Sequence, residues 1–138
     1  MVNRERIPTD LLFKKFMYET RVLIVDSNFT YRTALKQAMF SFGASPDNVS
    51  VARNLVSARA ILNDFQPQII ISDLLLDDGI GCDILKGQKL KSILIVLCSP
   101  SSQDTLAKIE KADVNQLIYK PCSQIQIEEV LKKVMHEH

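Results

Sequence analysis

Runs of apolar residues alternate with amphipathic segments along the chain. Ile69, Ile70 and Ile71 form a continuous β-branched run behind Pro67. That pattern predicts a short strand buried on both faces, as the middle of a parallel sheet requires. Residues 21–26, apolar between Arg21 and Asp26, and the wholly apolar residues 93–98 predict two more strands; residues 49–52 and 115–119 predict shorter ones. The stretches between them follow helical spacing. Residues 29–42 place Leu35, Ala38, Met39 and Phe42 on one face, and Gly43 stands ready to close the helix. Asn54 is placed to cap a helix over 55–65, with Leu55, Ala58, Ile61, Leu62 and Phe65 inward. Gly79 and Gly81 mark a loop, followed by a short third helix from Cys82 to about Gly87. Ser101-x-x-Asp104 and Ser123-x-x-Gln126 read as capping boxes, the first opening a helix to about Lys111. The last helix carries Ile127, Val130, Leu131 and Val134 as its stripe.

Ahead of this pattern, residues 1–8 are polar, and Thr9 is expected to cap a helix from Asp10 to about Glu19. Leu12, Phe13, Phe16 and Met17 would form its apolar face. Residues 1–20 therefore read as an extension and 21–138 as the domain proper. The extra helix is expected to pack on its own domain; a homodimer or partner contact is the second reading. Five strands alternating with five helices imply an α/β fold: a doubly wound, five-stranded parallel sheet of order 2-1-3-4-5 with right-handed crossovers.

Composition narrows the function. The 138 residues suit one domain, and 17 basic against 16 acidic side chains leave a net charge of +1. No basic field points to nucleic acid, and no stretch approaches the ~20 apolar residues of a membrane span. Three cysteines, Cys82, Cys98 and Cys122, lack C-x-x-C spacing, which argues against a disulfide framework or a structural zinc site. With no apolar leader at the amino terminus, a reducing cytoplasm is the expected setting. The two histidines, His136 and His138, lie in the tail with Lys132 and Lys133, where they complement the helix dipole. They leave no basis for a catalytic triad, and the protein is not expected to be an enzyme.

The candidate chemistry lies at three strand ends: Asp26-Ser27, Asp73 and Lys120-Pro121. Ligands bind outside the carboxyl ends of strands in such sheets, and this strand order makes the first and third strands neighbours. Asp26 and Asp73 would then share a crevice. Two close carboxylates repel, so a divalent cation or a lysine is wanted between them, and Lys120 offers the positive charge. Hard oxygen donors favour Mg²⁺. Asp77 and Asp78 are expected to face solvent, with a place among the cation's ligands as the sharper alternative.

These residues resemble the receiver domain of bacterial response regulators, a CheY-like, flavodoxin-like fold, over about residues 21–135. The resemblance rests on Val22-Leu23-Ile24-Val25-Asp26, Ile69-Ile70-Ile71-Ser72-Asp73 and Tyr119-Lys120-Pro121. It implies Asp73 as phosphoacceptor from a histidine kinase or phosphotransfer protein. It also implies Lys120 as electrophilic support, a cis peptide before Pro121, and weakly bound Mg²⁺ on Asp26, Asp73, the Leu75 carbonyl and Ser27. A downstream protein would be met by the fourth helix, fifth strand and fifth helix, about residues 101–133. Four positions depart from the family pattern. Ser27 replaces a second acid, and Cys98 takes the usual Thr/Ser place, with Ser99 as the fallback. Leu117 stands where the switch aromatic belongs while Tyr119 has moved beside the lysine, and Asp77 replaces a proline. The departures admit two functions: a slow phospho-accepting receiver, or a pseudo-receiver that binds partners without phosphorylation. A flavin binder of the same topology would need a glycine-containing phosphate loop, and Ser27-Asn28-Phe29-Thr30 has none. Buried structural thiols are expected at Cys98 and Cys122, a redox pair being the alternative.

Overall fold

The structure, a computed structural model, describes residues 7–109 and 114–138. Helix α1 (Thr9–Glu19) precedes β1 (Val22–Val25), α2 (Phe29–Ser41), β2 (Val49–Ala52), α3 (Leu55–Phe65) and β3 (Ile69–Asp73). A small hairpin, β4 (Leu75–Leu76) and β5 (Gly79–Ile80), follows, then β6 (Ile93–Cys98), the single-turn α4 (Gln103–Leu106), β7 (Gln116–Tyr119) and α5 (Gln124–Glu137). The main sheet is parallel and runs β2-β1-β3-β6-β7. This is the anticipated doubly wound order, with β1 and β3 adjacent.

Period-two alternation sorts the sheet side chains into two cores. Val22, Ile24, Ile69, Ile71, Ile95 and Leu97 face α1, α2 and α5. Leu23, Val25, Ile70, Leu94, Val96 and Cys98 face α3 and the segment around Ile84. Helix ends carry their own signals. In α2, Asn28 accepts from the Tyr31 N–H at 2.8 Å, and the Gly43 and Ala44 N–H groups donate to Phe40 and Met39. That closing pattern needs a left-handed residue, supplied by Gly43 at φ +110°. Asn54 and Ser123 cap α3 and α5 as the sequence predicts, Ser123 in the expected box with Gln126 and Asn54 in a further reciprocal box with Ser57.

Several expectations are corrected. Residues 82–87 form no α-helix; a 3₁₀ turn, Gly81–Asp83, and loose turns replace it. So short a segment gains too little from helix nucleation, and burying Cys82 and Ile84 needs only one turn. The β4–β5 hairpin was not foreseen. Pro8, not Thr9, occupies the cap position of α1, and no side chain caps it. Ser101 does not cap α4: Pro100–Ser102 is a 3₁₀ turn in which Ser99 engages the hydroxyls of Ser101 and Ser102. The helix expected to run to about Lys111 stops at Leu106, with turns over 107–109; Lys111 itself lies outside the described residues, as do residues 1–6 of the polar start.

Helix α1 packs on its own domain. Phe13 and Met17 are buried, Phe13 meets Phe42 with ring centroids 5.7 Å apart, and Lys132 pairs with Asp10 at 3.1 Å. Phe16 is partly buried, but Leu12 faces outward with Leu11 and Tyr18. Among the described residues no helix is long and apolar enough to cross a membrane.

Candidate functional site

Strand register brings the two acids together. Val25 pairs with Ser72, so Asp26 and Asp73, one residue further on, leave the sheet at the same level. Lys120 follows β7, and its N–H is fixed on the Cys98 carbonyl at 2.8 Å. The long side chain then crosses β6 to the crevice. Its ammonium donates to Asp26 Oδ2 at 2.9 Å and lies 3.5 Å from Asp73 Oδ2. The Lys120–Pro121 peptide is cis.

The acids differ in environment. Asp26 is 1% exposed, and its oxygens are held by Lys120 and by the Asn28 N–H at 2.8 Å. Asp73 is more open, yet its Oδ1 is buried without a hydrogen-bond partner. Burial raises the Asp73 pKa above 3.8; the Lys120 ammonium opposes that shift, and the Asp26 carboxylate adds to it. A buried acceptor with no donor is costly, and it is the atom in this crevice most in need of a cation or an electrophile.

The remaining candidates divide. Ser27 turns away, its hydroxyl donating to the Arg53 carbonyl at 3.2 Å. Cys98 is fully buried, and its thiol is directed to the Ser99 carbonyl. Burial raises its pKa, and the nearby Asp73 charge raises it further. Leu75 pairs with Ile80 in the hairpin, while the flanking Leu74 carbonyl accepts from Gly81. Antiparallel alternation therefore points the Leu75 carbonyl away from the hairpin partner. Asp77 is exposed. Asp78 is committed elsewhere: its two oxygens accept from the Leu55 and Val56 N–H groups at 2.7 and 3.0 Å, which lowers its pKa. Leu117 and Tyr119 lie two apart on one strand face and line a groove of about 500 Å³ with Leu106 and Ile109. The aromatic has thus moved along the same face rather than across the strand.

Two contributors were not foreseen. A Cβ on Gly81 would lie 2.4 Å from the Asp73 carbonyl oxygen and 2.5 Å from Ser72 Oγ, so the loop passes behind the acid only as glycine. Tyr31, one turn into α2, covers the Lys120 ammonium with its ring at 3.9 Å.

The response regulator receiver domain matches residues 22–132. This chain belongs to that family. Among solved structures, the receiver is similar to the signal receiver domain of a histidine kinase from Syntrophus aciditrophicus. That pair shares 25% identity with TM-score 0.72, over 86% of this chain and 91% of the other. A CheY-like receiver from Methanospirillum hungatei JF-1 matches at 23% identity with TM-score 0.74, over 86% and 94%. No curated protein matches the chain. Receivers are signalling modules of two-component systems, generally non-enzymatic. They take phosphoryl groups on an aspartate from histidine kinases or phosphotransfer proteins and bind Mg²⁺ in an acidic pocket.

Proposed function

We propose that this receiver accepts a phosphoryl group on Asp73, through a site with a reduced metal shell. The unpartnered, buried Asp73 Oδ1 beside the Lys120 ammonium carries the reading. In the reaction, Asp73 Oδ1 attacks phosphorus and the bond to the donor's imidazole nitrogen breaks, giving an aspartyl phosphate and free histidine. Lys120 balances charge on the transferred group. Asp26 holds Lys120 and is itself oriented by the Asn28 N–H.

The donor set suits a hard cation: the second Asp73 carboxylate oxygen, the Leu75 carbonyl and Asp26, with Ser27 only after it leaves Arg53. A bound Mg²⁺ supplies further neutralisation of developing charge. Among the described residues no group of three or more His, Cys, Asp or Glu side chains gathers to hold a metal. Two carboxylates in place of three make the affinity weak.

A phosphorylation-independent pseudo-receiver is the second reading, favoured by Ser27 and Cys98 both turning to backbone carbonyls instead of the crevice. Its docking face would be α4, β7 and α5, with the Leu117–Tyr119 groove at the centre. Incubation with acetyl phosphate or phosphoramidate and Mg²⁺, followed by intact-protein mass measurement, separates the two. Phosphoryl mass on wild type and none on Asp73→Asn supports phosphoacceptance. An unlabelled wild type, under conditions that label a control receiver, establishes the pseudo-receiver.

A further inference from the structure

We infer that Tyr31 is a positioning residue for Lys120: its ring face seats the ammonium against the two acids. The lysine side chain is only 14% exposed and has three N–H donors to satisfy. One donates to Asp26 at 2.9 Å; the approach to Asp73, at 3.5 Å, is long for a hydrogen bond. The Tyr31 ring lies 3.9 Å from the ammonium, where its negative face attracts the charge and keeps water off.

Tyr31 Oη and Cys122 Sγ are 2.9 Å apart in a hydrogen bond, and Cys122 lies just past the Lys120–Pro121 peptide. Burial and this bond raise the Tyr31 pKa, so the hydroxyl keeps its proton. The groups facing Lys120 are thus Asp26 just after β1, Asp73 at the end of β3 and Tyr31 from α2, with Cys98 of β6 beside Asp73. Of these only Tyr31 restricts the ammonium from outside the pair of acids. Without the ring, a flexible four-carbon stem is free to swing toward solvent and leave Asp73 without its counter-charge.

The kinetic part of this inference rests on the phospho-accepting reading; the geometric part does not. Wild type, Tyr31→Phe and Tyr31→Leu are compared in two assays after thermal melts establish folding; Tyr31→Met replaces the Leu variant if that one does not fold. In the first, acetylation of Lys120 by N-hydroxysuccinimide acetate is followed by peptide mass measurement against the other lysines. In the second, the rate of labelling by acetyl phosphate is followed by intact mass. Loss of the ring is expected to raise Lys120 acetylation and slow labelling, each roughly 5- to 30-fold. Tyr31→Phe, which keeps the ring, is expected within about threefold of wild type in both. Unchanged Lys120 acetylation without the ring overturns the inference, as does a Phe variant as impaired as the Leu variant. If wild type takes no label, the proposed function fails and the acetylation arm alone decides the role of Tyr31.

Discussion

Removing the lysine charge with Lys120→Met tests how the crevice is held together. In the wild type, Asp26 is 1% exposed, and one of its two oxygens depends on Lys120 at 2.9 Å. The substitution keeps the apolar stem but strands that oxygen in a buried site. Breaking a buried pair by deleting one partner costs ~3–5 kcal/mol. Here the lower end applies for two reasons: the Asn28 N–H still satisfies Asp26 Oδ1, and the crevice opens to water beside Asp73, which is 16% exposed. The expected loss is therefore ~3 kcal/mol, or a melting temperature lower by ~10 °C for a domain of this size. Urea unfolding at pH 7 measures it. The double variant with Asp26→Asn should recover ~2 kcal/mol, because the neutral amide no longer needs a cation. A loss below ~1 kcal/mol, or single effects that simply add, would refute the view that this ion pair organises the site.

Gly81→Ala drives a methyl against the Asp73 carbonyl and Ser72 Oγ and should cost ~2–3 kcal/mol by calorimetry; a cost under ~0.5 kcal/mol would mean the loop moves freely. Asp73→Asn removes a carboxyl whose pKa is raised on folding above 3.8. A raised acid favours the folded state below its unfolded pKa and opposes it once ionised, so the variant should melt higher at pH 7. That advantage must vanish as pH falls below 3.8; an advantage that persists there contradicts the assignment. Asp78→Ala has the opposite sign, since its folded pKa is lowered by the α3 N–H groups. It should melt lower at pH 7, with the deficit closing below pH 3.8, and a melting temperature equal to wild type at pH 7 would show the cap is idle.

Much of this was legible before any coordinates. Apolar runs ending in Asp26, Asp73 and Lys120 placed three groups at strand ends, and parallel register carried them into one crevice. Gly43, Asn54 and the Ser123 box were read correctly because each acts within a few residues of itself. The same local logic failed at Ser101, whose hydroxyl bonds to Ser99 inside a proline-led 3₁₀ turn. Asp78 faces solvent as read, but its bonds to the Leu55 and Val56 N–H groups went unread because those residues lie on another element. Tyr31 and Cys122 were invisible for a related reason: they are 91 positions apart, and only the winding of the sheet joins them. Ser27 and Cys98 show the limit of matching positions by residue type. Each occupies a strand end suited to the pocket, yet each spends its polar group on a nearby carbonyl.

The central claim is that Asp73 presents a free oxygen to a phosphoryl-like electrophile beside a cation, despite serine at position 27. Calorimetric titration of wild type and Asp73→Asn with beryllofluoride in the presence of Mg²⁺ addresses it directly. Saturable, Mg²⁺-dependent binding to wild type at one site, absent from Asp73→Asn, is the predicted result. Equal behaviour of the two proteins, whether both bind or neither does, would contradict it.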